Sequence, residues 1–130
     1  MRRITKAKGC STRSESVWVK PISIDDLTPV TGLQGIWHRY VDAQPGNGGM
    51  IFGMGAMMPG EAAGWHIHPE PEIFFVLTGQ GEARWRDGDE ECRAELRPGV
   101  AFYKVGNVAH QMINTGDSPL TGVYFKLAVR

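Results

Sequence analysis

Long hydrophobic runs and cysteine are both scarce in this chain of 130 residues. No stretch reaches the roughly 18 consecutive apolar residues that mark a membrane-spanning helix, so no membrane span is predicted. The two cysteines, Cys10 and Cys92, lie far apart and form no C-x-x-C pair. A disulfide scaffold is therefore not predicted, and both are expected to be free thiols in a reducing cytoplasm.

A net charge of one sign is also missing, since 14 basic side chains balance 14 acidic ones. The balance is uneven, because five of the bases precede the first acid, Glu15, and the remainder of the chain is acidic overall. We predict a flexible basic tail over residues 1–15, and an acidic folded part that does not bind nucleic acid. The head of the chain has no apolar segment of the kind that a secretory signal contains, so no targeting segment is expected.

Helical periodicity is almost absent from the sequence. Only residues 23–30 suggest a helical turn, with Ser23 as its N-cap and Pro29 as its stop. Instead, 17 glycines and 8 prolines separate short runs rich in β-branched and aromatic residues. The runs predicted to be strands are residues 16–20, 36–42, 50–58, 73–78, 82–86, 92–96, 100–105, 111–114 and 121–129. This spacing predicts an all-β sandwich, jelly roll or small barrel, and the length suits a single domain.

Histidine is scarce as well, yet three of the four histidines stand where metal ligands would. His66 and His68 are two apart, which on a strand directs both imidazoles to one face. Glu72 follows a proline-containing bend, and His110 opens a later strand. Three imidazoles and one carboxylate suit Fe, Mn, Co, Ni, Cu or Zn better than Ca or Mg. Alternatively, His66 and His68 face solvent and bind no metal. Glu70 could also take the place of Glu72 as the carboxylate ligand, or it is a solvated acid in the turn.

The spacing around these residues carries a family resemblance. Residues 60–79 read GEAAGWHIHPEPEIFFVLTG, which resembles the first motif of the cupin superfamily, G-x5-H-x-H-x3-4-E-x6-G. The second cupin motif aligns with Gly99, Val105, Asn107, His110 and Asn114 at each interval. Two of these residues depart from it, because valine replaces the motif proline at 105 and asparagine replaces the glycine at 107. The neighbouring glycine at 106 is expected to supply the flexibility that the turn needs.

The resemblance implies a small single-domain cupin, a double-stranded β-helix or jelly-roll barrel with an N-terminal extension. In this interpretation residues 16–49 supply N-terminal strands and a loop that pack on the barrel, and residues 50–130 form the barrel. One divalent transition metal per chain is implied inside it. The implied ligands are His66, His68, Glu72 and His110.

Strand alternation predicts the surroundings of that metal. If the histidines face inward, Phe74 and Val76 lie on the side of Glu72, and Met112 shares the face of His110, which predicts a largely apolar pocket that binds the substrate. Tyr103 and Tyr124 each lie in a predicted strand and are the candidates for a catalytic acid or base. Either hydroxyl could face the pocket or the outside.

Within the superfamily, the stretches PEPEIFFVLTGQGEARW and FYKVGNVAHQMINTGD are similar to single-domain cupins that include dimethylsulfoniopropionate lyases. That branch commonly has a catalytic tyrosine two residues beyond the glutamate ligand, where this chain has Phe74. Tyr103 matches another tyrosine of the branch.

The leading hypothesis is a metal-dependent enzyme of dioxygenase, isomerase or lyase type that acts on a small polar or anionic organic molecule inside the barrel. The alternatives are a non-catalytic cupin that binds a sugar or effector, a dimethylsulfoniopropionate lyase-like enzyme, and a purely structural metal site. Similar cupins are usually homodimers, and the apolar segment 17–19 is a possible shared edge.

Overall fold

The computed structural model of this chain describes residues 20–30 and 34–129. The predicted tail and the predicted strand residues 16–19, including the possible shared edge, lie outside the described residues. One 3-10 helix and eight strands make up the described part. They are, in order, the helix Ile24–Asp26, β1 Ile36–Val41, β2 Met50–Met57, β3 Glu72–Thr78, β4 Gly81–Asp87, β5 Glu90–Leu96, β6 Ala101–Lys104, β7 His110–Asn114 and β8 Leu120–Leu127. The predicted all-β architecture is confirmed.

The strands form two antiparallel sheets. The larger sheet has the order β1-β2-β8-β3-β6, and the smaller has the order β5-β4-β7. β1 with β2 and β4 with β5 are consecutive strands, whereas other neighbours come from distant parts of the chain, as when β8 lies between β2 and β3. β1 forms one edge of the larger sheet through its pairing with β2, so residues 36–41 extend that sheet.

The core fills the space between the sheets. Burial alternates along β2 and β8, as expected of strands with one face toward a core and one toward the outside. The buried hydrophobic residues are Trp37, Ile51, Met57, Phe74, Val76, Ala83, Leu96, Met112, Leu120 and Tyr124.

Glycines on the inward face of β2 make room for aromatic rings. A Cβ atom on Gly53 would overlap the ring and hydroxyl of Tyr124, and one on Gly55 would overlap the ring of Trp37. Trp37 in turn contacts Phe74 and Tyr124 edge to face, with ring centroids 6.3 and 6.0 Å apart. Small residues in the strand therefore allow large rings to line the interior.

The predicted helical turn is a short 3-10 helix. The Ser23 hydroxyl oxygen accepts a hydrogen bond from the Asp25 backbone N–H at 3.1 Å, as the cap prediction required. The helix ends at Asp26, with Leu27 as its C-cap, before Pro29. Among the described residues, no helix has the length and apolar character needed to span a membrane.

Candidate metal centre

Three imidazoles lie close together, with His66 exposed, His68 half-buried and His110 buried. One nitrogen from each of His66, His68 and His110 can be chosen so that all lie within 4.8 Å of one another. His66 and His110 are held together by the backbone, since each N–H donates to the other's carbonyl oxygen at 3.0 Å. Ligand atoms about 2.1 Å from one ion lie about 3.0–3.4 Å apart at octahedral or tetrahedral angles, so the most widely separated nitrogens would approach each other by up to about 1.5 Å on binding.

The two histidines of the first motif do not lie on a strand, contrary to the prediction. His66 forms an isolated bridge with His110, and His68 lies in an extended loop. Pro69 and Pro71 follow directly, and proline has no backbone N–H to give to a strand ladder. The loop nevertheless runs beside β7, which brings both rings to the same place as His110.

Each of the three rings is oriented by a backbone carbonyl two residues away. The Nδ1 contacts are His66 with Gly64 at 2.8 Å, His68 with Glu70 at 3.0 Å and His110 with Val108 at 2.7 Å. Because a carbonyl oxygen only accepts, each neutral ring carries its hydrogen on Nδ1 and has its lone pair on Nε2. The Nε2 atoms of His68 and His110 are buried and have no hydrogen-bond partner among the described residues. This arrangement fits a bound transition metal.

His110 is suited to ligation at neutral pH. Its side chain is 3 % exposed. Burial lowers the pKa of His110 to about 4, and the nearby Lys104 and His66 act in the same direction. The imidazole is therefore neutral at pH 7, the form in which it can bind a metal.

Glu72, the predicted fourth ligand, lies beside the three imidazoles and is also paired with lysine. Its Oε1 atom is 3.6 Å from Nε2 of His68 and 3.8 Å from Nε2 of His110. The same atom lies 2.5 Å from Nζ of Lys104, and Oε2 lies 3.9 Å from Nζ of Lys126. Burial alone would raise the pKa of Glu72, but Lys104 and Lys126 outweigh it and the net pKa is lowered. Glu72 is therefore a carboxylate, and its Oε1 atom faces His68 and His110.

Glu70, the alternative ligand, lies on the other side of His68. Its carbonyl oxygen accepts from Nδ1 of His68, and its carboxylate Oε2 lies 3.7 Å from that same nitrogen. Because Nε2 is the ring atom nearest Glu72, Glu70 is placed to orient the His68 ring rather than to share its metal.

A cavity of about 140 Å³ opens beside the imidazoles. Its lining is largely apolar and includes two of the predicted pocket residues, Phe74 and Met112. Val76, the third, is fully buried in the core and does not line the cavity. Strand alternation correctly predicted that Val76 points to the inward face of β3. That face extends beyond the cavity, however, and Val76 lies on the part that packs in the core.

The two candidate tyrosines lie on opposite faces of the larger sheet. Tyr124 lines the cavity and is 6 % exposed, whereas Tyr103 is 63 % exposed and is not part of the cavity wall. The register explains the difference, because Tyr103 pairs with Ile73 on the outward side of β3 and Tyr124 pairs with Phe74 on the inward side. The expectation that Tyr103 could act at this site does not agree with its position.

The family model described as a cupin domain matches residues 53–125, more than half of the chain. This chain belongs to the cupin family. A curated relative, the glucose-6-phosphate isomerase of Thermococcus litoralis, is 28% identical over 130 residues. The match covers 92% of this cupin but 64% of that relative, so the chain spans less than two thirds of its length.

Solved structures share the fold. A predicted oxalate decarboxylase from Thermotoga maritima superposes with a TM-score of 0.69 at 18% identity, covering 85% of this chain and 100% of that one. A cupin 2 conserved barrel domain protein from Salinispora arenicola has a TM-score of 0.66 at 21% identity, covering 88% and 92% of the two chains. The single-domain cupin barrel is thus confirmed.

The cupin's departure from the second motif is accommodated at the substituted residue itself. Asn107 has a φ of 64°, and it is the one non-glycine residue with positive φ in the described ranges. Asparagine tolerates this conformation better than most residues do. The expected role of Gly106 was wrong: its φ is not positive, and it is needed for space, because a Cβ there would overlap the carbonyl oxygen of Pro69.

This turn joins the two motifs. The Asn107 N–H donates to the His68 carbonyl oxygen at 2.8 Å, so the loop before His110 rests on the loop that follows His68. The last motif residue, Asn114, is buried and structural. Its Nδ2 donates to the carbonyl oxygens of Met57 at 2.8 Å and Ser118 at 2.9 Å.

Sequence reasoning missed the charged part of the cavity wall. Arg39 and Lys126 both line it, and Lys104 lies buried next to Glu72. A signal was available for Lys126, because it stands two residues after Tyr124 and therefore shares its face of β8. To predict that Arg39 lines the cavity, one must know the β1–β2 register, and the local sequence does not contain that information.

Proposed function

We propose that this cupin is a metal-dependent enzyme that acts on a small anionic organic molecule in its barrel. The observation that carries the proposal is the set of three carbonyl-oriented imidazoles beside a cavity that also contains a carboxylate and a tyrosine hydroxyl. His66, His68 and His110 would hold one divalent transition metal, with Glu72 as the fourth ligand. In a six-coordinate metal such as Fe, Mn, Co or Ni, these four ligands would leave two coordination positions for substrate, as catalytic sites require.

A bound transition metal would supply Lewis acidity or, as iron, oxygen chemistry, which covers the dioxygenase, isomerase and lyase types of reaction. The protein's own groups supply the rest. Phe74, Trp37 and Met112 form apolar walls that limit water in the cavity. Tyr124 is the proposed acid or base, since it is the tyrosine that lines the cavity in the described part of the chain.

The cavity size favours a short organic acid over a large substrate. An engineered protein cavity of about 150 Å³ accommodates benzene, so about 140 Å³ suits a ligand of about six heavy atoms. Oxalate, named for the Thermotoga maritima neighbour, fits this size better than the hexose phosphate named for the Thermococcus litoralis relative. A dimethylsulfoniopropionate lyase-like activity is the weaker alternative, because Phe74 carries no hydroxyl to take a proton.

The test is turnover with a defined metal. Metal-free protein is reloaded with Fe, Mn, Co, Ni, Cu or Zn and assayed with oxalate, other short keto and dicarboxylic acids, glucose 6-phosphate and dimethylsulfoniopropionate. We expect metal-dependent turnover of a short acid, loss of it in His110→Ala, and a large drop in Tyr124→Phe at unchanged metal content. Saturable binding of an acid without turnover for any metal would instead assign the non-catalytic binding function.

We also propose that the cupin is a homodimer built on the outward face of its larger sheet. In the described parts of β1, β2, β3, β6 and β8, the outward positions carry no Asp, Glu, Lys or Arg. Exposed apolar side chains on this face include Ile36, Met50, Ile73, Phe75, Leu77 and Tyr103. Five strands about 4.8 Å apart give a footprint of about 500–600 Å², at the upper limit for an apolar patch on a monomer and just below the roughly 600–1,000 Å² that one partner in a stable dimer covers.

Light scattering of the purified chain should give a dimer mass, and Phe75→Glu should give a monomer with an intact circular dichroism spectrum. Arg93→Glu, on the exposed part of β5, is the matched charge control and should remain dimeric. A monomeric wild-type protein would overturn this proposal.

A cytoplasmic location is proposed as well, since Cys92 is a free thiol and suits a reducing compartment.

A further inference from the structure

Two cations face the cavity from the larger sheet. Arg39 on β1 pairs across the strands with Gly53, which pairs in turn with Tyr124 on β8. Lys126 is two residues beyond Tyr124 and pairs with Glu72 on β3. Both side chains line the cavity that contains the imidazoles.

Glu72, the carboxylate in that lining, does not neutralise both Arg39 and Lys126. Glu72 has its closest contact with Lys104, at 2.5 Å through Oε1, while Lys126 lies 3.9 Å from Oε2. Lys104 and Lys126 thus share one carboxylate. A metal ion on the imidazoles would add further positive charge to the same space.

The guanidinium of Arg39 is only partly satisfied. Its Nη1 contacts Oδ1 of Asp42 at 3.4 Å, at the rim, where the Asp42 side chain is 67 % exposed. Its Nε atom is buried and has no hydrogen-bond partner among the described residues. Such a contact with an exposed carboxylate is weak, whereas a buried donor without a partner costs free energy.

We propose that Arg39 and Lys126 form an oxoanion subsite that holds the carboxylate or phosphate end of a ligand whose other end faces the three imidazoles. The fork of an arginine matches two oxygens of such a group, and a lysine adds a mobile point charge. Tyr124 interacts with the Arg39 guanidinium and lines the same cavity.

The glycine at 53 is part of this subsite. A side chain there would displace the Tyr124 ring and hydroxyl, which lie directly over its Cα. The strand register thus places Arg39, Gly53 and Tyr124 in one row across three strands, with the glycine between the cation and the phenol. The inference deepens the proposed function by assigning the ligand's anionic end, but the subsite belongs to the protein without metal.

The experiment is calorimetric titration of metal-free protein in a buffer of low chloride. The probes are malonate and methyl phosphate, as carboxylate and phosphate, with malonamide as the neutral analogue of malonate. We expect at least one anion to bind and malonamide not to bind. Arg39→Gln and Lys126→Gln should each weaken the anion about tenfold to a hundredfold, because a hydrogen bond to a charged group is lost. Arg97→Gln, an exposed arginine outside the cavity, should leave it unchanged.

Several results would overturn the subsite: no anion binding, equal binding of malonamide, or equal losses in Arg97→Gln and the two cavity variants. Melting temperatures of all variants show whether each remains folded, and two independent cavity variants guard against the failure of one. The relative affinities of malonate and methyl phosphate then show whether the subsite prefers a carboxylate or a phosphate. His110→Ala separates this proposal from the previous one, because it should lose metal while metal-free anion binding persists.

Discussion

The ammonium of Lys104 lies 2.5 Å from the Oε1 atom of Glu72, the same oxygen that faces Nε2 of His68 and His110. The two residues are cross-strand partners on β3 and β6, and their side chains are 3 % and 14 % exposed for lysine and glutamate. A buried lysine and a bound cation would therefore share one carboxylate. Burial lowers the pKa of Lys104, and Glu72 opposes that effect only in part.

Lys104→Met tests this shared carboxylate. Removing the lysine leaves a buried carboxylate without its nearest partner, so the metal-free variant should lose about 3–5 kcal/mol of unfolding free energy. Metal should restore more stability to this variant than to wild type, because the ion becomes the main partner of Glu72. Urea unfolding with and without metal measures both values, and an equal loss in the two conditions would mean that Glu72 does not reach the ion.

The turn at 106–107 should control metal affinity through the loop that follows His68. In Gly106→Ala the new Cβ overlaps the Pro69 carbonyl oxygen, so the loops must separate and metal affinity should fall about tenfold or more. Asn107→Gly is the control, since glycine adopts positive φ freely and should preserve affinity. Competition with a chelator measures both, and equal affinities for the two variants would contradict this account of the turn.

Asn114 should matter for stability and not for metal affinity. Asn114→Ala removes hydrogen bonds to two carbonyl oxygens and should cost about 2–4 kcal/mol. Asp117→Ala, in the exposed part of the same turn, should change stability by less than about 0.5 kcal/mol. A folded Asn114→Ala protein that fails to bind metal would contradict the structural role.

Metal-free protein should become less stable as the pH falls from about 6.5 toward about 4. The unfolded chain protonates His110 near its ordinary pKa, whereas burial lowers the folded pKa to about 4, so protons favour the unfolded state between these values. The loss should be about 1–2 kcal/mol, because solvent in the cavity screens part of the effect. Unfolding free energies measured across this range should fall less steeply in His110→Gln, and parallel curves would contradict the assignment.

Sequence alone identified the three histidines that could hold a metal, because motif spacing is local information. His66 and His68 are close in the chain, and the second motif gave His110 without any structure. Alternation also placed Phe74 and Met112 correctly on the cavity wall. Spacing gives the face of a strand to which a side chain points, but it does not show whether that part of the face borders the cavity or the core. Val76 points inward and lies in the core.

Cross-strand register accounts for the remaining differences. Arg39 reaches the cavity because β1 pairs with β2, and Lys104 meets Glu72 because β6 pairs with β3. These pairings join residues far apart in the chain, and nothing in the local pattern of either strand determines them. The outward position of Tyr103 follows from the same register.

The metal content of the purified chain tests the central claim most directly. Elemental analysis after reloading and desalting should give about one transition metal per wild-type chain, and His66→Ala, His68→Ala and His110→Ala should each lose most of it. His38→Ala, on β1 and outside the cavity lining, is the matched control and should retain the full amount. Wild-type protein that holds no transition metal, or the three variants binding it as fully as His38→Ala does, would contradict the account.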